Sequence, residues 1–132
     1  MTKYKYVQEF EIQASPKMIF PYLSTAIGLE QWFSEVKMID GKIFNFIWDN
    51  TNHYAKMTMI RVNKQIKFEF VPDESGEIEE EAASYIELKL ENSELTNTTF
   101  MKVIDYSEMT EEADLEELWQ GLVHKLKEII GG

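Results

Sequence analysis

Apolar and polar residues alternate from Tyr4 to Gln13, with Tyr4, Tyr6, Phe10 and Ile12 on one face, which predicts a strand. The period then lengthens. Ile19, Phe20 and Leu23 fall at helical spacing behind Ser15, an N-cap residue, and Pro16, which suits a first helical position. The pattern predicts a helix from about Pro16 to Leu23, kinked or shortened by Pro21. After a break at Ser24–Thr25, a second short helix covers roughly Ala26 to Gln31 and closes on Trp32-Phe33.

Alternation returns over most of the remaining chain. Val36 to Ile39 reads as a strand ending in Asp40-Gly41, a hairpin signal. Ile43 to Trp48 follows, with Phe44, Phe46 and Trp48 on one face, then a polar turn from Asp49 to Asn52. Tyr54 to Val62 and Ile66 to Val71 are strands joined at Asn63-Lys64, and Ile66, Phe68 and Phe70 face one way. Beyond an acidic loop from Pro72 to Glu77, strands are predicted over Ala82 to Leu90 and Thr96 to Tyr106, with a turn at Asn92 to Glu94.

Thr110 is placed to cap a last helix from about Glu111 to Ile130. Its apolar stripe is Leu115, Leu118, Trp119, Leu122, Leu126 and Ile129. Glu111, Glu112, Asp114, Glu116 and Glu117 crowd its first turns while Lys125 and Lys127 lie near its end, as the helix dipole prefers. The order is β, α, α, six β, α. One long amphipathic helix against an antiparallel sheet is an α+β arrangement.

At 132 residues, 44% of them hydrophobic, the chain suits a single domain over residues 1–132 with a real core. It has no cysteine, which excludes disulfides, thiolate catalysis and cysteine-ligated metals and fits a reducing compartment. The N-terminus lacks the apolar core of a signal peptide, and no apolar run approaches the roughly 20 residues that span a membrane. A soluble, cytoplasmic protein is expected.

The net charge of −11 is unevenly spread. Residues 1–68 carry nine basic and six acidic side chains, whereas residues 69–132 carry four basic and eighteen acidic. Such acidity argues against nucleic acid and anionic membranes, whose phosphates need clustered Lys and Arg. The acidic half is either a solubilising surface or a face that docks a basic protein partner.

The segments ASPKMIFPYLST, GLEQWF, GKIFNFIWD and LWQGLVHKLKEIIG resemble those of the START-like (helix-grip) superfamily, over essentially the whole chain. The resemblance is strongest to uncharacterised bacterial START-like domain proteins. It is more distant to the family that includes the C-terminal half of the Hsp90 ATPase activator, which shares the Ala-Ser-Pro start, the Trp-Phe closure and a Trp in the last helix. The internal Pro21 departs from the smooth first helix of the family. The resemblance implies a curved antiparallel sheet wrapped around the C-terminal helix, with a cavity between them that takes apolar or amphipathic small molecules. These motifs are structural, so they specify fold more than function.

The aromatic and apolar set that such a cavity would use is Phe20, Trp32, Phe44, Phe46, Trp48, Met57, Met59, Phe68, Phe70, Leu115, Trp119 and Leu122. These residues either fill the core or line a pocket of roughly 300–1,000 Å³. Arg61, the sole arginine, would seek a ligand carboxylate or an acid such as Glu69 or Asp105 if it pointed inward; otherwise it lies at the sheet surface. Asp105 is a polar anchor or general base at the cavity mouth, or a cap for the loop into the last helix. Gly121 leaves room for a ligand or packs closely on the sheet.

His53 and His124 are the only histidines, one in a polar turn and one on a helix flank, and no HExxH or HxH pattern is present. No metal or cofactor is expected. The chain lacks a G-x-S-x-G elbow, a P-loop and a Rossmann glycine set, and offers no nucleophile–base pair. A non-enzymatic binding protein is therefore expected, with a co-chaperone-like interaction module as the alternative. Convergence of Arg61, His53 or Asp105 in an open pocket would favour an enzyme.

Overall fold

The computed structural model describes residues 3–77, 84–93, 95–96, 98–108 and 112–131. The expected cap Thr110 and the expected strand start Ala82 lie outside them. Strand β1 (Tyr4–Ile12) is followed by three short helices, α1 (Pro16–Ile19), α2 (Pro21–Ser24) and α3 (Ala26–Glu30). Strands β2 (Glu35–Ile39), β3 (Ile43–Trp48), β4 (Thr51–Arg61), β5 (Gln65–Phe70), β6 (Tyr85–Ser93) and β7 (Thr98–Ser107) come next, and α4 (Glu112–Ile130) ends the order. All pairings are antiparallel, in the sheet order β1-β7-β6-β5-β4-β3-β2. This is the expected α+β helix-grip architecture: a curved sheet gripping the C-terminal helix.

Pro21 has the predicted effect. The first helical stretch divides at Phe20, and Pro21 becomes the first residue of α2, where its missing N–H costs nothing. Ser15 caps α1 by accepting from the Met18 N–H, and Thr25 caps α3 by accepting from the Gly28 N–H at 2.9 Å. Gly28 is required by packing. A Cβ there would lie 2.1 Å from the Pro21 carbonyl oxygen. That close approach folds α3 back on α2 and brings Trp32 under the sheet, where its indole N–H donates to the Tyr22 carbonyl at 2.8 Å.

The hairpins follow the turn chemistry. Asp40 and Gly41 both have positive φ, as do Asp49 and Asn50, the two-residue turns whose twist suits adjoining strands. Asn45, buried on β3, donates to Asn52 and accepts from the His53 N–H, which fixes the β3–β4 register. Strands β6 and β7 extend to Ser93 and Ser107, beyond the ends read from the pattern.

One irregularity changes which side chains point inward. The β4–β5 register shifts between Met57 and Met59, so Thr58 is an extra residue. Met57 stays on the inner face opposite Phe68, whereas Met59 pairs with Lys67 on the outer face. Met59 is 41% exposed and Arg61 is exposed as well. Met59 does not face the interior, a correction to its place in the cavity set, and Arg61 lies at the sheet surface, one of the two positions open to it.

On α4 the buried stripe is Leu115, Trp119, Val123 and Leu126. Val123 joins it, while Leu118 and Ile129 move to its exposed margin and Leu122 is half-buried. Gly121 is exposed, and a Cβ there would meet nothing within 4 Å. It neither packs on the sheet nor leaves space for a ligand. Two substitutions on this helix should therefore act oppositely. Trp119→Ala should lower unfolding free energy by about 3–5 kcal/mol. Gly121→Ala should raise it by up to about 1 kcal/mol, through helix propensity alone. Urea unfolding monitored by circular dichroism measures both; equal stability of the two variants would refute the helix register.

Candidate functional site

Two regions divide the space between sheet and α4. Around the centre of the inner face the aromatics interlock. Phe44 meets Phe68 edge-on at 5.0 Å between ring centroids, and Phe46 meets Phe68 at 5.5 Å. The void left among Leu29, Phe33, Phe46, Phe68, Ile86 and Leu88 is about 10 Å³, at the lower limit for one water. Phe20, Trp32, Phe44, Phe46 and Phe68 thus fill the core.

The other end is open. A cavity of about 720 Å³ lies between α4, the β3–β4 turn and the ends of β5 and β7. From α4 it is lined by Leu115, Leu118, Trp119 and Leu122. Trp48, Asp49, Asn52, His53 and Tyr54 come from the β3–β4 hairpin, and Phe70, Val71 and Pro72 from the end of β5. Ser84, Ile86, Asp105, Ser107 and Glu108 complete the wall, with Phe33 behind. Leu118, 45% exposed, and Trp48, 36% exposed, are apolar surfaces that look into this opening.

Of the side chains singled out in the sequence, the cavity brings together Trp48, His53, Phe70, Asp105, Leu115, Trp119 and Leu122. Met57 is partly buried against the core, outside the cavity wall, and Met59 and Arg61 are on the exterior. Pattern reading passed over Phe33, Leu118 and Ile86 as cavity wall and placed His53 in a turn. The alternation that put Phe46 and Trp48 inward also implied His53, which pairs directly with Phe46.

Trp119 organises the site. Its ring stacks on Phe33 at 5.7 Å and lies 6.5 Å from Trp32. It is 1% exposed, and its Nε1–H donates to Asp105 Oδ2 at 2.9 Å. Asp105 is 7% exposed on β7. Burial pushes its carboxyl above the ordinary carboxylate range, an effect only partly opposed by the hydrogen bonds from Trp119 and Ser107. Asp105 faces the cavity.

His53 stacks on Trp48, with ring centroids 3.8 Å apart and planes 14° from parallel. Loss of hydration lowers its pKa, while a hydrogen bond to the Trp48 backbone and the charge of Asp49 pull the other way. Its Nε2 is buried and has no hydrogen-bond partner among the described residues. His124, in contrast, pairs with Glu128 at 2.8 Å on the solvent face of α4. Among the described residues no group of three or more His, Asp or Glu side chains is placed to hold a metal, and no helix is long and apolar enough to cross a membrane.

A START-like superfamily domain model matches residues 1–132. The chain belongs to the START-like superfamily. A protein of Bacteroides fragilis, solved by NMR, is 33% identical over 98% of this chain and 92% of its own, with a TM-score of 0.61. The Aha1 dimer of Colwellia psychrerythraea is 23% identical over 96% of each chain, TM-score 0.74. Protein MLL2253 of Mesorhizobium loti is 14% identical over 97% of each, TM-score 0.75. Both of the latter likenesses are likenesses of fold. No protein of curated function matches the chain significantly.

The Asp105 environment of this START-like domain gives a pH test with a definite sign. Its folded-state pKa lies above the unfolded value of about 3.8. Folding therefore favours the protonated acid. The stability this supplies is full below the unfolded value and is lost as pH rises through the folded one. Asp105→Asn still offers Trp119 an acceptor and does not titrate. Its melting temperature relative to the parent should therefore climb between pH 4 and neutrality. A flat difference would mean an unshifted carboxyl and a falling one a lowered pKa, and either would refute the effect of burial on Asp105.

Proposed function

We propose that this START-like domain binds an apolar or amphipathic small molecule in the open cavity between sheet and α4, as a carrier, sensor or store. The cavity itself carries the reading. Its 720 Å³ lie within the range of small-molecule sites, and an aromatic and aliphatic wall with a few polar groups is the usual composition of such sites. The rigid backing of Phe33, Trp119 and the filled aromatic core keeps the space preformed, which lowers the ordering cost of binding. The binding needs no cofactor and inserts nothing into a membrane. It fits a cytoplasmic protein.

The domain works without covalent chemistry in this reading. His53 and Asp105 do share the cavity wall, while Arg61 stands outside it. Asp105 is engaged by Trp119 and Ser107, and His53 by Trp48, so each has a positioning partner other than the opposite member of the pair. An interaction module of the co-chaperone type has two supports: the acidity of residues 69–132 and the fold shared with the Aha1 dimer. The second reaches only to fold, so the cavity reading ranks first.

Leu122→Trp puts a large ring into the cavity from a half-buried helix position. It should weaken uptake of a neutral apolar dye such as Nile red by about tenfold or more while leaving the fold intact. Native mass spectrometry of gently purified protein should show a small molecule bound to the parent and none on the variant. Equal dye affinity in both proteins, with no bound molecule in either, would overturn the proposal.

A further inference from the structure

The ionisable side chains of the cavity wall carry one sign. Asp49, Asp105 and Glu108 line it, together with a histidine that burial keeps toward its neutral form, and no Lys or Arg is among the described lining residues. Asp105 stands inside, nearly buried, and Asp49 belongs to the turn beside Trp48. The carboxylates accept only, when ionised. His53 is stacked on Trp48 in the same wall, and burial keeps it toward its neutral form. Its Nε2 is buried and has no hydrogen-bond partner among the described residues.

We infer that the cavity selects amphipathic molecules with a hydrogen-bond-donating, cationic head, namely amines, over fatty acids and other anionic amphiphiles of the same length. The inference rests on the cavity reading above and narrows it. An apolar tail of either kind gains the same contact with Trp48, Phe70, Leu118 and Leu122. The head decides. A carboxylate brought beside the buried Asp105 and the exposed Asp49 and Glu108 meets like charges and finds no cation among the described lining residues. An ammonium meets three acids and donates to them. Binding it also favours the ionised form of Asp105, whose charge burial otherwise opposes.

The test titrates dodecylamine, dodecanol and dodecanoate separately, below their aggregation limits, following Trp fluorescence and calorimetric heat. Parent protein, the cavity-filled Leu122→Trp variant and an Asp49→Asn/Glu108→Gln double variant are compared. Subtracting the filled variant removes adsorption of the amine to the acidic surface. In the parent, dodecylamine should bind about tenfold or more tighter than dodecanoate, with dodecanol between them. In the double variant the ratio should shrink to a few-fold while dodecanol affinity holds. Dodecanoate binding as tightly as the amine, or an undiminished ratio in the double variant, would overturn the selectivity and leave the cavity reading intact. Binding of all three that Leu122→Trp does not reduce, or no binding of any, would overturn both.

Discussion

Trp119 joins three parts of the chain that sequence keeps far apart. Its ring stacks on Phe33, from the closure after α3; its indole N–H bonds Asp105 on β7; and its backbone belongs to α4. Each contact limits the others. The hydrogen bond sets the rotation of α4, because Asp105 lies at a fixed point of the β6–β7 and β1–β7 registers. The stack sets how closely the α3 closure approaches the helix. Gly28 and Pro21 are needed upstream, since the tight α2–α3 return is what delivers Trp32 and Phe33 to that place.

From that clamp follows the division of the interior. On one side Phe44, Phe46 and Phe68 interlock to a density that leaves no usable space. On the other, α4 faces the β3–β4 turn across an opening whose wall includes Leu118 and Leu122. The two leucines are exposed or half-buried because the space before them is the cavity. A buried acid and a dehydrated imidazole stand in the same wall. Proteins tolerate such groups where a specific partner exists, and Trp119 is that partner for Asp105. The His53 Nε2 lacks one among the described residues.

Much of the fold could be read directly from local pattern, because strands, caps and turns are decided over a few residues. Ser15 and Pro16 open a helix, Pro21 divides it, and Asp40-Gly41 and Asp49-Asn50 take the positive φ that tight hairpins need. Period-two alternation put Phe44, Phe46 and Trp48 on one face correctly. Those features, with the motifs of the superfamily, specify the architecture.

What the tertiary structure alone decided is where space remains and which side chains reach it. A bulge at Met57–Met59 is one inserted residue whose cause lies in sheet pairing, so Met59 was carried to the wrong face and Arg61 settled at the surface. A helical stripe shows direction but not what stands opposite. It therefore could not tell Val123, pressed on the sheet, from Leu118, facing an opening. The same limit applies to Gly121, whose surroundings proved empty. Whether an aromatic plugs or lines a cavity depends on ring orientations set by neighbours from other strands. The sequence thus determined the sheet, the helices and their inner faces through local propensity and period. Long-range packing decided the cavity, its acidic lining and the company of Asp105 and His53, because these are relations between residues distant in the chain.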